Sequence, residues 1–227
     1  MEMDLYHVLN CGVEKRNIFL DTQDYWRFIH GLYEFNDKKP VENLGYRIAQ
    51  KRKVIDLGGR YTPRERLVDI HGWCLMKNHY HFLLSERVEG GISKFLQKLN
   101  AGYAKYFNER YKRSGTLFQG RTKKILIEND GQFNYILHYI HLNPLDYLKG
   151  AEEWRIRSKG MIANHKQALE YLQKYRWSSY LDYIGEKNIP SLLTTDFFKE
   201  EHGDYRKAVS TYLRESKYSE VASFSLE

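Results

Sequence analysis

Asn78-His79-Tyr80-His81 sets two imidazoles two residues apart inside the apolar run Ile70 to Leu84, IHGWCLMKNHYHFLL. The run has no proline and ends at the polar Ser85-Glu86-Arg87, which predicts a buried β-strand. In a strand, residues two apart share a face. His79 and His81 would then project side by side, with Tyr80 and Phe82 turned into packing. Two imidazoles on a rigid strand can hold one divalent metal ion. Composition alone gives the pair little weight, because surface and hydrogen-bonded core histidines are commoner than ligands.

A second group lies further on. Asn129 or Asp130 can cap a helix from about Gln132 to Leu142, and Pro144 stands just beyond its end. Phe133, Ile136, Leu137 and Ile140 suit a core-facing stripe. Tyr135, Tyr139 and Asn143 fall at i, i+4 and i+8 and share another face, Tyr139 and Asn143 being one turn apart.

The elements before these groups read as follows. Leu5 to Leu9 suits a first strand, with a bend at Asn10-Cys11-Gly12. Asp21 or Thr22 can cap a helix from about Gln23 to Phe35, in which Tyr25, Phe28, Ile29 and Leu32 form an apolar stripe. Asn36 to Asp69, with its basic group Gln50-Lys51-Arg52-Lys53, reads as an insertion. A helix from about Ile92 to Tyr111 carries Phe95, Leu96, Leu99, Tyr103, Tyr106 and Phe107 on one side and lysines on the other. Leu117 to Lys124 is basic with an aromatic inside it, and Ile125 to Glu128 suits another strand. Lys166 to Tyr183 and Phe197 to Leu213 are predicted to be helical in part. The domain reading is residues 1–150 as the catalytic unit, with an insertion at about 36–69, and 151–227 as a mainly helical extension.

The chain has 227 residues and a net charge of +7. A basic protein of this size favours a polyanionic partner, nucleic acid before an acidic membrane surface. Its 19 tyrosines and 11 phenylalanines, many near Lys or Arg, suit stacking on unpaired bases while cations hold phosphates, although most rings will be core. Cys11 and Cys74 form no Cys-x-x-Cys pair, which argues against a zinc ribbon or a disulfide framework. No amino-terminal run resembles a signal peptide and nothing approaches a membrane span, so no membrane partner and a cytoplasmic location are expected.

Several stretches together resemble the IS200-like single-tyrosine transposases of the HUH endonuclease superfamily, most of all the REP-associated branch. They are YHVLNCGVEKRNIFLD, WCLMKNHYHFLL, SKFLQKLNAGYAKYFNERYKRSGTLFQGRTKKILIE, YILHYIHLNPLDY and, more weakly, YRWSSYLDYIG. They span most of Tyr6 to Gly185. Two departures stand out: Lys77 replaces the proline usual before the Asn-His pair, and the segment 36–69 is longer than in compact members.

The resemblance implies an α+β fold, a ferredoxin-like antiparallel sheet with packed helices. It implies that His79 and His81 are metal ligands, that Asn143 is the third, and that Tyr139 is the nucleophile, with Tyr135 and Tyr147 as nearby competitors. The implied substrate is single-stranded or hairpin DNA, handled by a monomer or homodimer. The implied chemistry is transesterification through a 5′-phosphotyrosine, which conserves the phosphodiester and needs no ATP. Two imidazoles and one amide oxygen allow Mg²⁺ or Mn²⁺ as the cofactor, and Zn²⁺ also fits imidazoles. Lys105, Lys112, Arg113, Arg121, Lys123 and Lys124 are candidate phosphate contacts, and Phe118 a candidate stacking ring. Two further readings are a domesticated hairpin-DNA-binding relative without cleavage activity and an unrelated metal hydrolase. The latter is disfavoured because no carboxylate cluster accompanies the histidines.

Overall fold

The computed structural model describes residues 4–40, 64–151, 154, 164–195, 198 and 203–215. Most of the inserted segment, with its Gln50 to Lys53 basic group, lies outside them. Four strands form one antiparallel sheet: β1 (Leu5–Cys11), β2 (Val68–Leu75), β3 (His79–Glu86) and β4 (Lys123–Leu126), in the order β2-β3-β1-β4. Helix α1 (Thr22–Glu34) joins β1 to β2, and α2 (Gly91–Arg110) joins β3 to β4. This β-α-β-β-α-β order with interleaved strands is the ferredoxin-like arrangement. Helix α3 (Asp130–Leu142) follows, then α4 (His165–Lys174), the short α5 (Tyr180–Tyr183) and α6 (Tyr205–Glu215).

The run Ile70 to Leu84 is not one strand. It folds into the β2–β3 hairpin, turning at Met76-Lys77-Asn78, where the Met76 amide donates to the His79 carbonyl at 2.8 Å. Nothing at the turn announces it, since Met76 is buried and Lys77-Asn78 is a weak turn pair. The hairpin supplies the fourth strand. The β4 strand also begins two residues earlier than expected, which brings Lys123 and Lys124 into the sheet. The helix boundaries at α1, α2 and α3 lie within two residues of expectation. Asp21 and Asn129 are the caps of α1 and α3, Asp21 accepting from the amides of Gln23 and Asp24 and Asn129 from that of Gln132.

Strand alternation divides the core into two layers. Val8, Trp73, Tyr80 and Phe82 face α1 and α2, meeting Phe28, Leu32, Phe95 and Leu99. Leu5, Cys74 and Leu83 face the other way, meeting Ile136, Leu137 and Ile140 of α3 and Leu172, Tyr180, Tyr205 and Val209 of the carboxy-terminal extension. Gly72 lies on this second face. A Cβ there would sit 2.8 Å from a Leu137 methyl, so glycine sets how closely α3 approaches the sheet.

The extension runs along β2. The Leu75 amide donates to the Trp177 carbonyl and the Ser179 amide to the Trp73 carbonyl, both at 2.9 Å. The Tyr175 hydroxyl donates to the Leu75 carbonyl at 2.7 Å and that of Tyr183 to the His71 carbonyl at 2.6 Å. His141 of α3 is held between the Tyr205 hydroxyl at 2.8 Å and Ser179 Oγ at 2.7 Å. The extension thus positions both the hairpin and α3.

The α1–α2 layer is locked by one buried carboxylate. Asp24, with no exposed surface, accepts from the Leu20 amide (2.8 Å), the Tyr106 and Tyr111 hydroxyls (2.9 Å each) and Arg110 Nη1 (2.7 Å). Removing one partner of such a group strands the others. Asp24→Ala should lower the unfolding free energy in urea by about 3 kcal/mol, at the low end for a buried pair because Arg110 keeps some solvent contact. A loss below about 1 kcal/mol would show that the network contributes little.

His30, on the same helix, is 8% exposed; burial, then the neighbouring Arg27 guanidinium, pushes its imidazole down to about 4 from its ordinary 6.5. The unfolded chain therefore takes up a proton more readily than the folded one as pH falls from 6.5 towards 4. Stability from this residue is complete above the unfolded value and declines through that window. Between pH 7.5 and 5.0 the wild type should lose more stability than His30→Gln in parallel urea titrations. Equal losses would remove His30 as the cause.

Candidate active site

The face of the sheet under α3 collects the histidines. In register, Cys74, His81, Leu9 and Lys123 form one row across the four strands, and Gly72, Leu83, His7 and Ile125 form the next. His79 pairs with Cys11 one step towards the hairpin turn. The i, i+2 spacing thus places His79 and His81 together on one face, their ring centroids 4.9 Å apart and their planes at 85°.

Each of these imidazoles is engaged at Nδ1. His79 Nδ1 lies 2.7 Å from Asn78 Oδ1. The Asn78 amide nitrogen meanwhile donates to the Lys15 carbonyl at 3.3 Å, which fixes which side of the amide faces His79. An amide oxygen only accepts, so a neutral His79 in this arrangement has its proton on Nδ1 and its lone pair on Nε2. His81 Nδ1 lies 3.0 Å from Nε2 of His7, a fully buried histidine of β1.

Tyr139 brings α3 to this group. Its ring stands edge-on to His7 at 5.5 Å and to His81 at 5.6 Å. Tyr135 and Trp154 flank it at 5.9 and 5.8 Å, and the residue is 6% exposed. Asn143 is fully buried at the end of α3, where its amide nitrogen donates to the Tyr139 carbonyl at 2.7 Å. That bond orients the carboxamide relative to the last helical turn. Among the described residues, no group of three or more His, Cys, Asp or Glu side chains could hold a metal.

The neighbouring tyrosines are placed differently. Tyr135 reaches towards Tyr212 of α6, with 5.8 Å between ring centroids. The Tyr147 hydroxyl accepts from the Lys77 amide at 2.7 Å, and burial pushes its phenol up to about 12. A proline at position 77 would have no N–H for Tyr147. The Lys77 ammonium lies 5.0 Å from the Tyr147 ring centre.

The candidate DNA contacts divide between the two sides of the sheet. Lys123 is exposed and shares the histidine row. Lys124 points to the opposite face, its ammonium 4.7 Å from the Tyr6 ring centre. Lys105 lies on α2, which also covers that opposite face, and sits 3.9 Å from Glu109. Lys112 and Arg121 are exposed. Arg113 braces the loop after α2, donating to Asn108 Oδ1 at 2.7 Å and to the Thr116 carbonyl at 3.2 Å. Phe118 is half-buried, its ring 6.0 Å from Tyr80 and 6.3 Å from Tyr103, so part of its surface is committed to the core.

Residues 60–143 match the family described as Transposase IS200 like. This segment is similar to that family. It includes His79, His81, Tyr139 and Asn143, and ends at the last of these. The IS200-like segment begins after β1, so His7 lies outside it. A solved structure, described as the REP associates tyrosine transposase bound to a REP hairpin, is similar over 86% of this chain and 88% of its own, at 13% identity and a TM-score of 0.47. No curated protein matches. Among the described residues, no helix is long and apolar enough to cross a membrane.

His7 was missed by sequence reasoning. It stands alone in its strand, and its partner His81 is 74 residues away. The YHV stretch that carries part of the family resemblance was the one available signal.

Proposed function

We propose that this protein is a single-strand DNA transposase that cleaves and rejoins hairpin-bearing DNA through Tyr139. The observation that carries the reading is the Tyr139 ring standing edge-on to His81, beside His79, under an IS200-like match that contains all three. In the proposed reaction, Tyr139 Oη attacks a backbone phosphorus and releases its proton to water, and the departing 3′ oxygen takes one proton up from water. The bond from phosphorus to the 3′ oxygen breaks, and that oxygen leaves as a 3′-hydroxyl. The 5′-phosphate stays on Tyr139 until another 3′-hydroxyl attacks and restores the phenol.

The donor set fits a divalent ion: two imidazole nitrogens from one strand and the amide oxygen of Asn143, with further positions left to phosphate and water. When bound there, Mg²⁺ or Mn²⁺ would polarise a nonbridging phosphate oxygen as a Lewis acid. His79 and His81 would hold it through Nε2. Cover from Trp154 means that a phosphate reaching Tyr139 displaces part of the packing over the ring. Lys123, in the histidine row, is best placed to hold the strand near the reacting phosphate, and the other cations would track flanking DNA.

The test uses the full chain with end-labelled hairpin DNA carrying a single-stranded flank, in Mg²⁺ and in Mn²⁺. A denaturant-resistant protein–DNA adduct is the expected result. Tight binding with no adduct in either metal would instead favour a hairpin-binding module.

A further inference from the structure

We propose that His7 is a positioning residue that sets the tautomer of His81, so that His81 presents its Nε2 lone pair to a divalent cation. The inference rests on the reading of His79 and His81 as ligands, and it adds a residue outside the IS200-like segment to that site.

The geometry is specific. The two ring planes are within 9° of parallel and the centroids are 5.2 Å apart, while Nε2 of His7 and Nδ1 of His81 are 3.0 Å apart. The rings therefore meet edge to edge through their nitrogens. Near-coplanar rings point the N–H of one along the in-plane lone pair of the other, as a linear hydrogen bond requires. Both residues are fully buried. In a neutral pair the shared proton has two placements. If His7 donates, His81 keeps its own proton on Nε2 and that nitrogen has no lone pair to offer a cation. If His81 donates from Nδ1, its Nε2 carries the lone pair and His7 carries its proton on Nδ1. The second placement is the ligand-competent one, and a coordinated Nε2 favours it by making Nδ1–H a stronger donor.

His79 is arranged in the same way, with Asn78 Oδ1 in the place of His7. The Asn78 oxygen admits only the Nδ1–H tautomer, so the two neighbouring imidazoles are set alike by acceptors of different chemistry. Tyr139 packs edge-on against both His7 and His81, which holds the pair of rings in register with each other.

Two measurements on the full chain test the proposal. Histidine ¹⁵N shifts in the metal-free protein at pH 7.5 should show His81 as the Nδ1–H tautomer, with His7→Leu moving it to Nε2–H. Calorimetric titration with Mn²⁺ should show affinity falling about 10- to 100-fold in His7→Leu. His7→Gln, whose side-chain oxygen can accept in the same place, should bind Mn²⁺ within about threefold of wild type. A Nε2–H tautomer in the wild type would overturn the proposal, as would unchanged Mn²⁺ affinity in His7→Leu. Equal losses in the glutamine and leucine variants would reduce His7 to packing and overturn it too. If His7→Leu fails to fold, the wild-type tautomer and the glutamine variant still decide. A wild type with the Nδ1–H tautomer but no Mn²⁺ binding would sink the metal reading while leaving tautomer control standing.

Discussion

Tyr139→Phe should bind hairpin DNA as tightly as the wild type and form no covalent adduct. The substitution removes one oxygen and keeps the ring. The contacts to His7, His81, Tyr135 and Trp154 are ring contacts that phenylalanine keeps. The α3 helix remains anchored by His141 and by Leu137 against Gly72. Fold and DNA affinity should therefore change little, whereas the only atom proposed to join phosphorus is gone. Denaturing gels read the adduct, and filter or anisotropy binding reads affinity. Cleavage that persists in the phenylalanine variant would move the nucleophile elsewhere. Tyr147 would be the weaker alternative: its hydroxyl is engaged by the Lys77 amide, and burial pushes its phenol up to about 12, further from ionisation at neutral pH.

His81→Ala should lower cleavage on the order of 10³-fold, corresponding to about 4 kcal/mol of transition-state stabilisation, while hairpin affinity stays within about threefold. The expected split follows from position. His81 lies in a buried row beneath α3, and the exposed Lys123 occupies the rim of that row. DNA held by exposed cations need not sense the loss of an imidazole beneath. Because alanine leaves a cavity in the second core layer, a thermal melt should accompany the assay. Equal loss of cleavage and binding in a folded variant would make the histidine pair structural. Near-normal cleavage would remove it from the reaction.

Local periodicity made much of this legible. The alternation of His79 and His81 against Tyr80 and Phe82 follows from strand geometry, and side-chain chemistry narrows the caps to Asp21 or Thr22 and to Asn129 or Asp130, of which Asp21 and Asn129 are used. The β2–β3 hairpin was not legible, because its turn is built from Met76, Lys77 and Asn78 and is stabilised by groups distant in sequence: Tyr147, Tyr175 and Trp177. The early start of β4 was hidden for a related reason. Lys123 and Lys124 look like a solvated basic segment until pairing with Val8 and Leu9 makes them strand residues. His7 shows the limit most clearly, since register between β1 and β3, a tertiary fact, is what turns an ordinary strand histidine into a partner of His81. Lys105 and Lys123, read together as one basic track, are separated by the sheet for the same reason.

The two borders of the sheet are unlike in a way that bears on self-association. Along β2, the backbone of Trp177 to Ser179 occupies hydrogen-bonding positions that another strand would otherwise use. At the other border, β4 has four residues, and Lys123 and Lys124 put a positive charge on each face. A second copy adding its own β4 there would bring like charges together over a short ladder, which opposes sheet extension and fibre-like aggregation. The same border offers donors and positive charge to a polyanion, so the charges that oppose strand addition by a second copy are of the sign that attracts a phosphate backbone.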